Sequence, residues 1–177
     1  MLMQLLAERL RSFLLRSVQP DIVEEFLGSD VVLVPVPRSA PLTTQDALWP
    51  ARVLSEALVR GGMGERVLPC LVRAEAVSKS AFAGSGERPG PRRHYETMRV
   101  ARELLDSPAR ITIVDDVVTK GATLIAAASR VQEAFPRSVV RAFALVRTMG
   151  LVAEIANIGE PCRGLITYDG SRADRQP

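Results

Sequence analysis

Residues Ile111 to Leu124 read ITIVDDVVTKGATL. Ile111-Thr112-Ile113-Val114 is the clearest strand in the chain, and it ends in two adjacent carboxylates, Asp115 and Asp116. A short loop of Val, Thr, Lys and Gly follows. Gly121 to Phe135 then reads as a helix, because Leu124, Ile125, Ala128, Val131 and Ala134 recur on one face. In this order of parts Thr119, Gly121 and Thr123 let the backbone curl so that several N–H groups turn inward at a helix N-terminus, which seats a phosphate dianion. Gly121 permits close approach of a ligand. Carboxylates cannot favour the phosphate itself, so the useful partners of Asp115 and Asp116 are hydroxyls or a divalent cation. A phosphate on one side and a diol on the other describe a ribose 5-phosphate.

The flanking sequence places this segment in an alternation of strands and helices. Val31 to Val36 is an unbroken apolar run after the turn Gly28-Ser29-Asp30, and its β-branched residues do not alternate with polar ones. That is the pattern of a strand covered on both faces of a parallel sheet. Pro37 to Pro41 makes a loop, Gln45 to Gly61 an amphipathic helix, Val67 to Val72 a second strand, and Val139 to Val146 another hydrophobic one. Short helices are expected at Pro20 to Leu27 and Leu151 to Ile158, with strands at Thr97 to Ala101 and Leu165 to Tyr168. The tail from Ser171 onward is expected to fray. From Arg73 to Tyr95 periodic apolar positions almost vanish, and residues 73–97 read as one long loop. The fold class is therefore α/β: a three-layer fold with a central parallel sheet flanked by helices. In such sheets ligands sit beyond the carboxyl ends of the strands.

Composition narrows the chemistry. The 177 residues include 47% hydrophobic and 24% charged, suited to a single domain with a real core: N-terminal helices over 1–28, a core over 31–148 and a C-terminal segment over 149–177. A formal charge of +3 is too small to call for non-specific nucleic-acid binding. One histidine, His94, excludes any site that needs two, and Cys70 and Cys162 form no CxxC pair. Both cysteines are read as small apolar residues in a reducing compartment. The N-terminal repeat of Leu2, Leu5, Leu6, Leu10, Phe13 and Leu14 is helical, but Glu8, Arg9 and Arg11 interrupt any bilayer-spanning run. A packing or surface helix, no membrane and a cytoplasmic location are the expectations.

The segment from Ile111 to Thr123 resembles the phosphoribosyl-pyrophosphate motif of type I phosphoribosyltransferases: four apolar residues, two acids, then Thr-Thr-Gly and a small residue before Thr. Val34-Pro35-Val36-Pro37 and Ala144-Leu145-Val146-Arg147-Thr148 make the chain most similar to the ComF, amidophosphoribosyltransferase-like branch, with the resemblance covering roughly residues 31–148. Lys120 departs from it, standing where the family usually has its second threonine. An ammonium there alters phosphate binding without removing the backbone N–H groups.

The resemblance implies an enzyme, a magnesium-dependent glycosyltransferase of nucleotide metabolism that moves a phosphoribosyl group onto a nitrogen nucleophile, base or amine, with release of pyrophosphate. Carried over by position, Asp115 and Asp116 bond the ribose hydroxyls or order the metal shell. Val118, Thr119, Lys120, Gly121, Ala122 and Thr123 hold the 5-phosphate, and Pro37, Arg38 and Ser39 face the pyrophosphate. Mg2+ is held through substrate and water, with no direct protein ligand. The long loop, with Lys79, Arg88, Arg92, Arg93 and Tyr95, sits where the family has a flexible catalytic hood, and its cations, Lys79 and Arg88 foremost, close over the departing oxygens.

Blander readings compete. An acid pair often just ends a strand, and the basic residues of the loop serve equally well as solvated charges. Lys120 precedes Gly121, so the segment is not a Walker loop, and the 61 residues after Asp116 are too few for a phosphorylation receiver domain. The Gly84-Ser85-Gly86 run lacks the context of a dinucleotide fingerprint. A lone His94 reads as a surface or packing residue. Trp49 packs the start of its helix, although an aromatic there could line a base pocket. The alternative function is a non-catalytic module that senses a phosphoribosyl ligand or contacts nucleic acid or protein, in DNA uptake or regulation. A homodimer is compatible with the N-terminal helix.

Overall fold

The apolar runs at residues 31–36, 111–114 and 139–146 lie side by side in one sheet of the computed structural model. The structure describes residues 20–40, 48–77, 89–101, 107–148 and 161–176, together with Arg9 and Ser12. Its elements are α1 (Pro20–Leu27), β1 (Val31–Pro35), α2 (Pro50–Arg60), β2 (Arg66–Val67), β3 (Leu71–Arg73), α3 (Pro91–Thr97), β4 (Met98–Val100), β5 (Arg110–Val118), α4 (Ala122–Ala134), β6 (Val139–Arg147), β7 (Leu165–Tyr168) and β8 (Ala173–Gln176). The expected helices at 2–14 and 151–158 lie outside the described residues, apart from Arg9 and Ser12.

The main sheet has the order β2-β1-β5-β6, and every neighbouring pair is parallel. β1 is central, and alternation sends its residues to two layers. Val32 and Val34, with Val36 just past the strand, meet Leu124, Ala127 and Val131 of α4, whereas Val31 and Leu33 meet Leu54 and Leu58 of α2 and Leu27 of α1. This is the three-layer α/β arrangement expected from the unbroken β-branched runs. From β1 the chain crosses through α2 to β2 on one side, and from β5 through α4 to β6 on the other. Right-handed crossovers running in opposite directions must use opposite faces. The order therefore reverses between β1 and β5, and a crevice opens at their carboxyl ends.

α2 begins at Pro50, after the non-helical Leu48 and Trp49, because proline is suited to the first helical position and disfavours helix in the residue before it. Ser55, buried inside α2, donates its hydroxyl to Ala51 O at 2.8 Å. At Gly64 φ is +86° and a Cβ would lie 2.7 Å from Leu33 Cγ, so the approach to β2 requires glycine.

Four expectations are corrected. Residues 67–72 do not form one strand: Pro69 interrupts the ladder, and β2 and β3 belong to different sheets, β3 pairing antiparallel with β4. Within the 73–97 loop, Pro91–Thr97 is a helix that buries Pro91, His94 and Thr97 at a spacing of three. A buried face carrying His and Thr has no hydrophobic period to read. β5 runs on through both acids to Val118. The tail does not fray: β8 pairs with β7 in register Leu165↔Gln176, and Ala173 is buried. Its turn is held by Asp169 Oδ1, which accepts from the N–H groups of Ser171 (2.8 Å) and Arg172 (2.7 Å). Cys70 is buried as expected, but Cys162 is exposed, with Arg147 Nη1 donating to its Sγ. Among the described residues no helix is long and apolar enough to cross a membrane.

Candidate functional site

The carboxyl ends of β1 and β5 open onto a cavity of about 820 Å3. One wall is Val36 to Ser39, leaving β1; the facing wall is Asp115 to Leu124, the end of β5 and the start of α4. Trp49, Arg73, His94 and the Ser171–Ala173 turn complete it. Asp115, Asp116, Val118, Thr119, Lys120, Gly121, Ala122, Thr123, Pro37, Arg38 and Ser39 thus line the same space. Lys79 and Arg88 lie outside the described residues, although Val77 and Pro89, on either side of their segment, both line the cavity.

The β5–α4 wall begins where β1 ends. β1 pairs with β5 as far as Pro35↔Val114, and one further bond, Val36 N–H to Val114 O, is 2.9 Å long. Beyond it Asp115 and Asp116 have no β1 partner and face the crevice. Asp115 Oδ1 accepts from Asp116 N–H at 2.9 Å, and Asp116 Oδ1 from Val117 N–H at 3.0 Å. Burial, reinforced by the neighbouring Asp116 carboxylate, holds the Asp115 carboxyl well above the usual range for its acid dissociation. A half-buried carboxyl with no cationic partner among the described residues favours a ligand that donates hydroxyl protons or brings positive charge.

α4 starts from Gly121, whose φ of +85° is left-handed. An added Cβ there would meet Ile166 of β7 at 2.7–2.9 Å, so backbone and packing both require glycine. Among the described residues no side chain caps α4, and its first turn carries no acid. Its first N–H groups, which have no partner within a helix, therefore lie at the cavity wall without a side-chain acceptor among the described residues, with the positive end of the helix dipole behind them. From outside the loop, Arg175 of β8 donates through Nε to Thr119 O (3.0 Å) and through Nη2 to Thr148 O (2.7 Å). Lys120 is exposed.

The β1 wall is held by three donors. Trp49 Nε1–H bonds Val36 O at 2.6 Å, Arg73 Nε–H bonds Arg38 O at 3.1 Å, and Val77 N–H bonds Ser39 O at 2.7 Å. Trp49 therefore both packs the start of α2 and lines the cavity.

Arg73, for which the sequence suggested no role, and His94, read there as a surface or packing residue, both line the cavity. Arg73 is 6% exposed and donates Nη1 to Thr97 Oγ1 at 2.8 Å, yet among the described residues no carboxylate pairs with it. Burial lowers its pKa to about 10, so it stays charged at neutral pH. His94 is 3% exposed, with Nε2 3.5 Å from Thr123 Oγ1. Burial first, and the charge of Arg73 second, lower its pKa to about 4, so the ring is neutral. An arginine at the end of a three-residue strand and a histidine in a polar stretch give no periodic signal. The Ser171–Ala173 part of the wall was hidden for a similar reason, in a short polar tail.

No protein-family model matches the chain, and no curated protein matches it. Among solved structures it is similar to a hypoxanthine phosphoribosyltransferase from Staphylococcus aureus, at 12% identity and a TM-score of 0.41 over 82% of this chain and 62% of that one. It is also similar to an adenine phosphoribosyltransferase from Trypanosoma brucei, solved with AMP, pyrophosphate and ribose-5-phosphate, at 17% identity and a TM-score of 0.33 over 80% of this chain and 63% of that one. The matched region is less than two thirds of either enzyme's length.

Proposed function

We propose that the chain is a phosphoribosyltransferase that binds phosphoribosyl pyrophosphate at the β1–β5 crevice and transfers the phosphoribosyl group to a nitrogen nucleophile. The observation that carries this reading is the start of α4, uncapped among the described residues, and the Asp115-Asp116 pair on one wall of a single cavity. Amides of residues 118–123 take the 5-phosphate, the two acids take the ribose hydroxyls, and the loop Pro37-Arg38-Ser39 faces the pyrophosphate. Arg73, holding Arg38 O, fixes that loop and adds positive charge on the pyrophosphate side.

Among the described residues no group of three or more His, Cys, Asp or Glu side chains forms a cage for a metal. Asp115 and Asp116 nevertheless suit Mg2+, a hard ion that keeps its waters and prefers substrate oxygens to an all-protein site. When bound, the ion supplies charge neutralisation for the pyrophosphate leaving group. As pyrophosphate departs the anomeric carbon becomes oxocarbenium-like, and charge grows on the leaving oxygens. Cations on that side, Arg73 and the proposed loop residues Lys79 and Arg88, stabilise this charge more in the transition state than in the ground state.

The test is pyrophosphate release with magnesium over a panel of purine and pyrimidine bases and small amines. Release is expected with at least one acceptor, falling by about 100-fold or more in Asp115→Ala/Asp116→Ala. No release with any acceptor rejects the transferase reading. If the sugar donor still bound, the non-catalytic ligand-sensing reading would take its place.

A further inference from the structure

His94 stands on α3, which packs on α4, and its ring reaches the second residue of α4. Its Nδ1 is buried and is the one such side-chain atom without a hydrogen-bond partner among the described residues. A buried N–H left unpaired is costlier than an unpaired acceptor lone pair. The favoured neutral tautomer therefore leaves Nδ1 bare and carries the proton on Nε2, the nitrogen facing Thr123 Oγ1. Arg73, whose guanidinium charge opposes any further proton on the ring, supports the neutral state. A threonine hydroxyl has one proton and two lone pairs. Within a helix it often turns that proton back to the carbonyl four residues earlier. Here that position, Thr119, lies before the helix, and the Thr123 hydroxyl has no hydrogen-bond partner but His94 among the described residues.

We propose, on the reading of residues 118–123 as a phosphate seat, that His94 is a positioning residue of that seat: Nε2–H donates to Thr123 Oγ1 and thereby aims the hydroxyl proton into the cavity, at a ligand phosphate oxygen. The 3.5 Å separation shortens when an anion draws the hydroxyl proton, since a hydroxyl that donates to a charged acceptor accepts more strongly in turn. α3 then sets ligand affinity although it does not itself touch the phosphate.

Because His94 is the only histidine, its ring nitrogens give one unambiguous pair of signals in a two-bond 1H–15N correlation spectrum. The expected result is a proton on Nε2 and none on Nδ1, with the Nε2 signal shifting as ribose 5-phosphate is added. By calorimetry, ribose 5-phosphate should bind about tenfold more weakly to His94→Leu and to Thr123→Val. In the Thr123→Val background, His94→Leu should cost nothing more. His94→Gln, whose amide N–H reaches the position of Nε2, should bind within about threefold of wild type. A proton on Nδ1 overturns the proposal. So do losses that add in the double variant, or unchanged binding by a folded His94→Leu protein. If wild type fails to bind ribose 5-phosphate, the phosphate seat itself is refuted, and with it the role of His94. If wild type binds and His94 has no influence, the seat stands and the positioning role alone falls.

Discussion

Asp115 is held where its charge is costly, and that cost links stability to function. Replacing it with Asn keeps an oxygen for the Asp116 N–H bond and removes the half-buried charge beside Asp116. Asp115→Asn should therefore raise stability at pH 7 by about 1 kcal/mol while weakening sugar-phosphate binding, a trade common at binding sites; urea unfolding beside calorimetry checks both arms. His94 makes a second prediction, with the opposite pH sense. Unfolded, its imidazole takes up a proton near 6.5; folded, only near about 4. Between those values the unfolded chain binds more protons, so the His94 contribution is complete above pH 6.5 and is lost as pH falls toward 4. It amounts to on the order of 3 kcal/mol. Asp115 runs the other way, since its raised folded pKa makes stability fall as pH rises through that value. The stability difference between wild type and His94→Gln isolates the histidine and should grow with pH from 4 to 6.5; a difference independent of pH contradicts it. Gly121→Ala should destabilise by about 1–2 kcal/mol from its positive φ alone, and more because Ile166 must move. A melting temperature unchanged in that variant would remove the reason given for the glycine.

At the scale of elements, what the sequence disclosed depended on what each element buries. Runs such as Val31 to Val36 and Ile111 to Val114 bury apolar residues on both faces, so composition alone betrays them. α3 buries Pro91, His94 and Thr97, and its inward face is largely polar, with Arg73 donating to Thr97 Oγ1 and His94 Nδ1 left without a partner among the described residues. No hydrophobic period can report such a face. The β7–β8 hairpin was half legible: Leu165 to Tyr168 is apolar enough to read as a strand, but β8, Ala173-Asp174-Arg175-Gln176, is ordered by pairing and by Arg175. The hairpin is thus a brace behind the 118–123 loop. Arg175→Ala removes two charged-donor bonds and should cost about 1–2 kcal/mol. It should also raise amide hydrogen exchange both in 165–176 and in 118–123. Faster exchange in the hairpin alone would show that the loop does not lean on it.

For the whole molecule, the location of the crevice follows from topology. Opposite crossovers from β1 and β5 leave their carboxyl ends uncovered, and the sequence marks that place because the acids and the Thr119-Lys120-Gly121 loop follow an apolar run directly. Hence two walls of the candidate site were readable, as one linear segment plus the β1 loop. The rest of the wall comes from residues far apart in the chain, Arg73, His94 and the 171–173 turn, that only folding gathers. The central claim is that this crevice grips a sugar bearing a 5-phosphate between α4 amides and two carboxylates. Calorimetric titration of the wild-type chain with phosphoribosyl pyrophosphate and magnesium tests it most directly. Saturable one-to-one binding is predicted, lost in a folded Asp115→Ala/Asp116→Ala protein; absence of binding by wild type, or equal binding by the double variant, would contradict it.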